Sequence, residues 1–332
     1  MKDFIGNKAV RLFLDHSLRR QALAHAFIFS GPEGIGKKKL ALALAKAIHC
    51  RGGQEGLNSC GVCAPCRKIE SGAHPDVQVI TPETKAFKID QIRHIIQDIY
   101  FQPFEGPMRV FILDDADRMT EEAANCLLKT LEEPPEKSVL VLITTNIYAL
   151  LPTIQSRGQV LKFLPIPSRE IEHYLRVRHD VAPEHALVAA RLSQGSVGNA
   201  LRMPIQTFEQ YQKLAFSLFE HMVEGDDASV STLAAQVTSR PDFDLFLHIF
   251  ISVLRDLVIM ECFREESQHL LHRGWLESLL KIRKGLTLEQ VHDLLRESGE
   301  FYRKRHLNVR TDIFFLNLLL KHRGGLHKDR RP

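Results

Sequence analysis

The sequence predicts a parallel α/β fold with a phosphate-binding loop, followed by an all-helical half. Three observations predict it. Short apolar runs alternate with helix-period stretches over the first 165 residues. A G-x-x-x-x-G-K loop, Gly31 to Lys37, joins the first apolar run to the first helical stretch. After Ser168 the strand signal stops and only helical periodicity continues.

Strands are expected at 26–30, 77–81, 110–113, 139–144 and 160–163, where Val, Ile, Leu and Phe dominate. Helices are expected at 37–49, 89–100 and 121–131. Buried strands separated by helices imply a parallel sheet with helices on both faces. Pro134-Pro135 stops the third helix, because proline lacks the N–H that a helix interior requires. Pro165 and Pro167 bracket the end of this region. Residues 168–205 read as short helices broken at Gly195 and Gly198, and Pro204 marks a further boundary. Helices are then expected at 211–223, 243–263, 275–284, 288–296 and 311–321, before a frayed, solvated tail from 322. The expected domains are 1–166, 167–205 and 206–332.

Apolar residues are 44% of the 332 and charged residues 25%, the balance of an ordinary globular protein. Formal net charge is only +4, too little to announce nucleic-acid binding by itself. The charge is uneven. Residues 301–332 hold nine Lys/Arg against two Asp/Glu, a local +7, so the remainder sums to −3. This basic segment faces DNA or merely solvates the chain. No apolar run is long enough to span a membrane, and Asp3, Lys8, Arg11 and Asp15 interrupt any signal-peptide core. A cytoplasmic, multidomain protein with no membrane partner is expected.

In the loop, Gly31, Gly34 and Gly36 let backbone N–H groups approach phosphates, and Lys37 adds a point charge at a helix N-terminus. Lys38 stands where a Ser/Thr hydroxyl normally holds Mg²⁺. An ammonium cannot coordinate a cation, so the loop is either a degenerate ATP/Mg site or a vestige that binds no nucleotide. Asp114 and Asp115 follow the third strand, where an NTPase of this layout places its metal-side acid and its water-activating base. Asp115 is one methylene shorter than the usual Glu. The bland reading is that these acids cap a helix starting near Met119. Asn146, after the fourth strand, could orient a water beside a γ-phosphate or serve as ordinary turn chemistry.

Cys50, Cys60, Cys63 and Cys66 form C-x9-C-x2-C-x2-C. Four thiolates at this density in a reducing compartment suit a closed, structural tetrahedral Zn²⁺ site, with an Fe–S cluster as the rival. Cys126 and Cys262 are isolated and are expected in the core. Arg157 follows a short helical turn before the last strand. By itself it is a surface charge; in an assembly it could reach a neighbouring subunit's nucleotide as an arginine finger.

Together these segments resemble the AAA+ clamp-loader family of bacterial replication. The resemblance rests on HAFIFSGPEGIGK at 25–37, the four cysteines, HPD at 74–76, IDQIR at 89–93, ANCLLKTLEEPP at 124–135 and TIQSR at 153–157. It covers residues 1–205; the last third matches only as an all-helical segment of suitable length. It implies an AAA+ P-loop domain with a parallel sheet, a small helical lid and an all-helical C-terminal collar. It also implies a place in a five-subunit DNA polymerase III clamp loader, with ATPase motor subunits and a clamp-opening delta subunit as partners. Primer-template DNA would be met through the complex.

The family's trans-acting arginine falls on Arg157. Three departures from an active ATPase stand out: Lys38, Asp115, and Gly198 in place of a lid arginine. They imply a subunit that does not turn over ATP. The alternative is an active AAA+ ATPase, and a zinc-dependent DNA-binding regulator is a third reading. Gly158 replaces the family's usual Cys after Arg157 and is expected to loosen the backbone there.

Overall fold

In the computed structural model, residues 4–52, 55–203, 205–240, 242–262, 270–304 and 310–322 are described. They fall into two compact units. One takes in the chain through Ala186 together with Ser193–Leu201; the other takes in Leu187–Leu192 and the chain from Arg202 onward.

The first unit contains α1 (Lys8–Arg19), β1 (Ala26–Ser30), α2 (Lys37–His49), α3 (Ala64–Glu70), β2 (Val77–Ile80), α4 (Ile89–Ile99) and β3 (Arg109–Leu113). Then come α5 (Glu121–Glu132), β4 (Ser138–Thr144), α6 (Pro152–Gln155), β5 (Gln159–Lys162) and α7 (Ser168–His179). Helix α8 (Pro183–Leu192) straddles the division, and α9 (Val197–Arg202) lies almost wholly in the first unit.

The five strands form one parallel sheet in the order β2-β3-β4-β1-β5. Every residue of β1, β3 and β4 is buried, which is why these strands read as unbroken apolar runs. Ser30 stands opposite Thr144, and Leu113 opposite Leu142. The loops that leave β1, β3 and β4 therefore emerge side by side at the carboxyl edge, where parallel sheets place their ligands. Helix α4 buries Ile92, Ile95 and Ile99, a three- and four-residue spacing that makes one apolar face. Helix α5 starts at Glu121, as its periodicity predicts, and Asp114 and Asp115 do not cap it. Thr120 caps it by accepting the Ala123 N–H at 3.3 Å, and Glu121 and Glu122 favour the positive end of the helix. It ends just before Pro134, as the sequence predicts.

Gly195 does break the chain between helices, at φ 84°. Gly198 does not; it lies in the first turn of α9. Helices α1 and α3 were not legible. Helix α1 buries only Val10 and Leu14, too few for a clear period. The Pro204 boundary, the tail from 323 and most of the basic segment's cations lie outside the described residues.

The second unit holds α10 (Ile205–Glu224), α11 (Asp227–Thr238), α12 (Phe243–Cys262), α13 (Leu276–Gly285), α14 (Leu288–Lys304) and α15 (Thr311–Lys321). Helix α12 buries Phe246, Leu247, Ile249, Phe250, Val253, Leu254 and Leu257, which lie on more than one face. Helices α10, α13 and α14 cover it, so its apolar girth is satisfied inside the unit. Phe219 stacks on Phe250 at 4.5 Å and Phe216 on Trp275 at 4.6 Å.

A polar network threads this core. Asp256, fully buried, accepts the Leu271 and His272 N–H groups and an Arg255 N–H, each at 2.8 Å. The Gln212 amide donates to His272 Nδ1 at 2.7 Å, so Nε2 carries the proton and meets Ser252 Oγ at 2.8 Å. Ser252 in turn donates to the Ile249 carbonyl at 2.7 Å. Each of these groups is satisfied, and burial holds His272 down at about 4. Cys126 is half-buried and packs against the core of the α/β unit, as expected, whereas Cys262 is exposed and is not a core thiol. No described helix is long and apolar enough to cross a membrane.

Candidate functional site

The loop from Gly31 to Gly36 leaves β1 and turns into α2. Gly34 and Gly36 take φ of 70° and 102°, values that side chains with a Cβ resist. Lys37 is buried. Its ammonium donates to the carbonyls of Gly31 and Pro32, the latter at 2.7 Å, and so lies folded into its own loop. Burial lowers its affinity for a proton, while Asp114, Asp117, Glu33 and Asp115 act in the opposite direction.

Lys38 pairs with Asp114, Nζ to Oδ2 at 3.2 Å. An ammonium thus lies against the Asp114 carboxylate. Asp115 takes a left-handed conformation (φ 61°) and pairs with Arg118 at 3.6 Å. Burial raises its pKa, against the pull of Arg118. Asp117 ties β3 to β4 by accepting the Thr145 hydroxyl at 3.0 Å and the Thr145 N–H at 3.3 Å. Asn146 uses its side-chain oxygen to accept the Tyr148 N–H at 3.0 Å, which is turn chemistry.

The amino end of α9 rests directly on the phosphate loop. Gly198 N–H donates to the Gly34 carbonyl at 2.8 Å, and Ser196 Oγ abuts Gly34. A Cβ on residue 198 would come within 2.9 Å of Gly34 Cα and of its carbonyl oxygen. Glycine at 198 is therefore what lets the two backbones touch, and no arginine fits there in this arrangement. Sequence reasoning noted the missing arginine but not this contact.

Arg157 lies on the turn after α6. Its Nη1 donates to the Thr153 carbonyl at 2.9 Å, and its Nη2 pairs with Glu132 at 2.6 Å. The Gln155 amide braces the turn by donating to the carbonyls of Ile147 (3.0 Å) and Leu150 (2.9 Å). Gly158 is tied into this turn. It donates to the Ile154 carbonyl at 3.2 Å, and a Cβ on it would come within 2.8 Å of the Ile28 side chain.

The four cysteines converge, with their Sγ atoms all within 4.8 Å of one another. A tetrahedral zinc with Zn–S of about 2.3 Å needs sulfurs about 3.8 Å apart, so the set fits with little movement. Backbone N–H groups of Gly52 and Cys60 point at Cys50 Sγ (3.4 and 3.2 Å), and that of Cys63 at Cys60 Sγ (3.4 Å). Such donors favour thiolates. The Cys63 thiol is pulled down to about 6 by the Cys66 and Arg51 N–H groups, whereas burial pushes Cys66 up to about 12.

Beside them, His49, His74 and Asp76 are buried together. Asp76 accepts the N–H groups of Phe104, Glu105 and Gly106 at 2.7, 2.8 and 2.9 Å, which gives HPD its structural role. His74 Nδ1 accepts the Asp76 N–H at 3.1 Å, so the neutral ring is protonated on Nε2. A metal-bound histidine has the reverse arrangement, because its free nitrogen donates. Asp76 is thus the clamp on the loop after α4, while both ring nitrogens of His49 and Nε2 of His74 are buried without a hydrogen-bond partner among the described residues.

A parallel sheet in this order, a glycine-rich phosphate loop and a helical lid define an AAA+-type P-loop protein. The sequence model described as "DNA polymerase III, delta subunit" matches residues 6–167. DNA polymerase III subunit delta' of Bacillus subtilis is 29% identical over 95% of this chain and 96% of its own length. DNA polymerase III subunit tau of Escherichia coli is 32% identical over 72% of this chain, which spans only 40% of that relative. Subunit tau of Bacillus subtilis is 35% identical over 51% of this chain and 30% of its own length. The chain is thus similar to clamp-loader subunits of DNA polymerase III, over nearly its whole length in the case of subunit delta'.

Proposed function

We propose that this chain is a clamp-loader subunit of the delta' kind. It does not hydrolyse ATP itself, and it presents Arg157 to the nucleotide of an adjacent ATPase subunit. The observation that carries the reading is the Lys38–Asp114 pair, a side-chain cation in the metal's place. The short acid Asp115 and the backbone contact of Gly198 with Gly34 support it. Gly31, Gly34, Gly36 and Lys37 keep the form of a phosphate cradle, with Asn146 just beyond the end of the neighbouring strand β4. Its charged members, however, are already engaged within the chain.

In this reading 1–166 is the P-loop domain, 167–205 the lid and 206–332 a collar through which subunits join. The partners are tau/gamma-type ATPase subunits and the delta subunit in a hetero-pentamer, and primer-template DNA is met through the complex. Zinc, held by Cys50, Cys60, Cys63 and Cys66, would pin the 50–66 segment to α2 and α3 and supply cross-linking rather than catalysis.

The test is reconstitution of the complex with wild-type or Arg157→Ala chains, followed by DNA-stimulated ATP hydrolysis. The reading expects assembly in both cases and slow hydrolysis with the variant. Equal rates in two fully assembled complexes contradict it.

A further inference from the structure

Arg157 is turned inward. Nη1 is bound to the Thr153 carbonyl at 2.9 Å and lies 3.4 Å from Ser156 Oγ, while Nη2 is bound to Glu132 at 2.6 Å. A guanidinium grips a phosphate through its planar fork and its full positive charge. Here both arms of the fork are engaged, and the carboxylate offsets the charge that a triphosphate would meet.

Glu132 has its own reason to hold on. It is the last residue of α5, where the negative end of the helix disfavours a carboxylate. The pair is half open to water, with the side chains 33% and 49% exposed. An exposed pair of this kind is weak enough to be exchanged.

We propose that Glu132 is a latch for Arg157. It stows the guanidinium in the lone chain and yields it when the phosphates of an adjacent subunit's nucleotide displace the carboxylate. No bond is made or broken; one anionic partner replaces another. Glu132 is thus a positioning residue, and the inference rests on the arginine role proposed above. Because stowed chains do not compete for the phosphate, the latch lowers the apparent efficiency of the adjacent site by the fraction stowed. For an exposed pair that fraction corresponds to about two- to fivefold.

The experiment is a cycle of four reconstituted complexes: wild type, Glu132→Gln, Arg157→Ala and the double variant. DNA-stimulated ATP hydrolysis is measured against ATP concentration at low and at moderate salt. The latch predicts that Glu132→Gln raises kcat/KM about two- to fivefold at low salt. The gain shrinks as salt screens the wild-type pair, and the double variant is as slow as Arg157→Ala. A helix-end carboxylate with a purely structural role would give no salt-dependent gain. Glu132→Asp, which keeps the charge but withdraws it by one methylene, serves if the glutamine chain does not assemble, with a smaller gain expected.

If Arg157→Ala is slow but neither Glu132 variant exceeds wild type at low salt, the latch is wrong and the arginine role stands. If Arg157→Ala is as fast as wild type, the arginine role falls and the latch with it.

Discussion

The phosphate loop and the Arg157 turn lie on the same α/β unit and handle positive charge in opposite ways. In the loop, Lys37 is buried against two carbonyls of its own turn, Lys38 is tied to Asp114, and Gly198 seals the backbone of Gly34. At the Arg157 turn one guanidinium is held by a single, half-exposed carboxylate and a carbonyl. Lys37 is built in, whereas Lys38, with its side chain 47% exposed, is held no more deeply than the turn's guanidinium. In the proposed reading the buried lysine belongs to a cradle that no longer works, and the half-exposed arginine serves another active site.

The sharpest way to break this contrast is to remove the arginine. Arg157→Ala should slow hydrolysis at the site it serves by roughly 10³-fold, the scale of an arginine finger. Rapid-quench measurement on the assembled complex reads the effect. Melting of the free chain should hardly change, because an exposed pair contributes about 1 kcal/mol at most.

The cysteine module comes next in size. Chains purified without chelator should carry about one zinc. Cys66→Ser removes the buried ligand, so zinc content should fall toward zero and the melting temperature by on the order of 5–10 °C. Full metal content in the variant contradicts the four-thiolate site.

A smaller effect sharpens the comparison with the second unit, whose charges are sealed more deeply still. His272 is neutral in the fold, with its pKa held near 4 by burial. Its folded pKa lies below its unfolded value, so the contribution is complete above about pH 6.5 and is lost as pH falls toward 4. The loss is about 3 kcal/mol at most. Asp256, raised by burial, works in the opposite direction over the acid range. Denaturant titrations of wild type and His272→Gln from pH 7 to pH 4.5 isolate the histidine. The variant should show the shallower decline, and parallel curves would contradict the assignment.

What the sequence revealed and what it hid follow one physical division. β1, β3 and β4 are buried on both faces and therefore read as continuous apolar runs. The third helix's stop at Pro134-Pro135 and the cysteine spacing were equally local signals. Helix α11 was missed because Ala, Ser and Thr fill it and only Val230, Ala234 and Val237 are buried. The contacts that define the site join residues far apart in the chain: Gly34 with Gly198, Glu132 with Arg157, and Asp76 with the 104–106 loop. No periodicity encodes such pairs. Lys38 stood out in the sequence as a departure from the usual loop, but only the fold shows that Asp114 is its partner.

The central claim is that the cradle for a triphosphate no longer supports its cleavage. Steady-state ATP hydrolysis by the purified, isolated chain tests this most directly. The account predicts no turnover above the background of a Lys37→Ala control. Hydrolysis at rates ordinary for P-loop enzymes, abolished by Lys37→Ala, would contradict it.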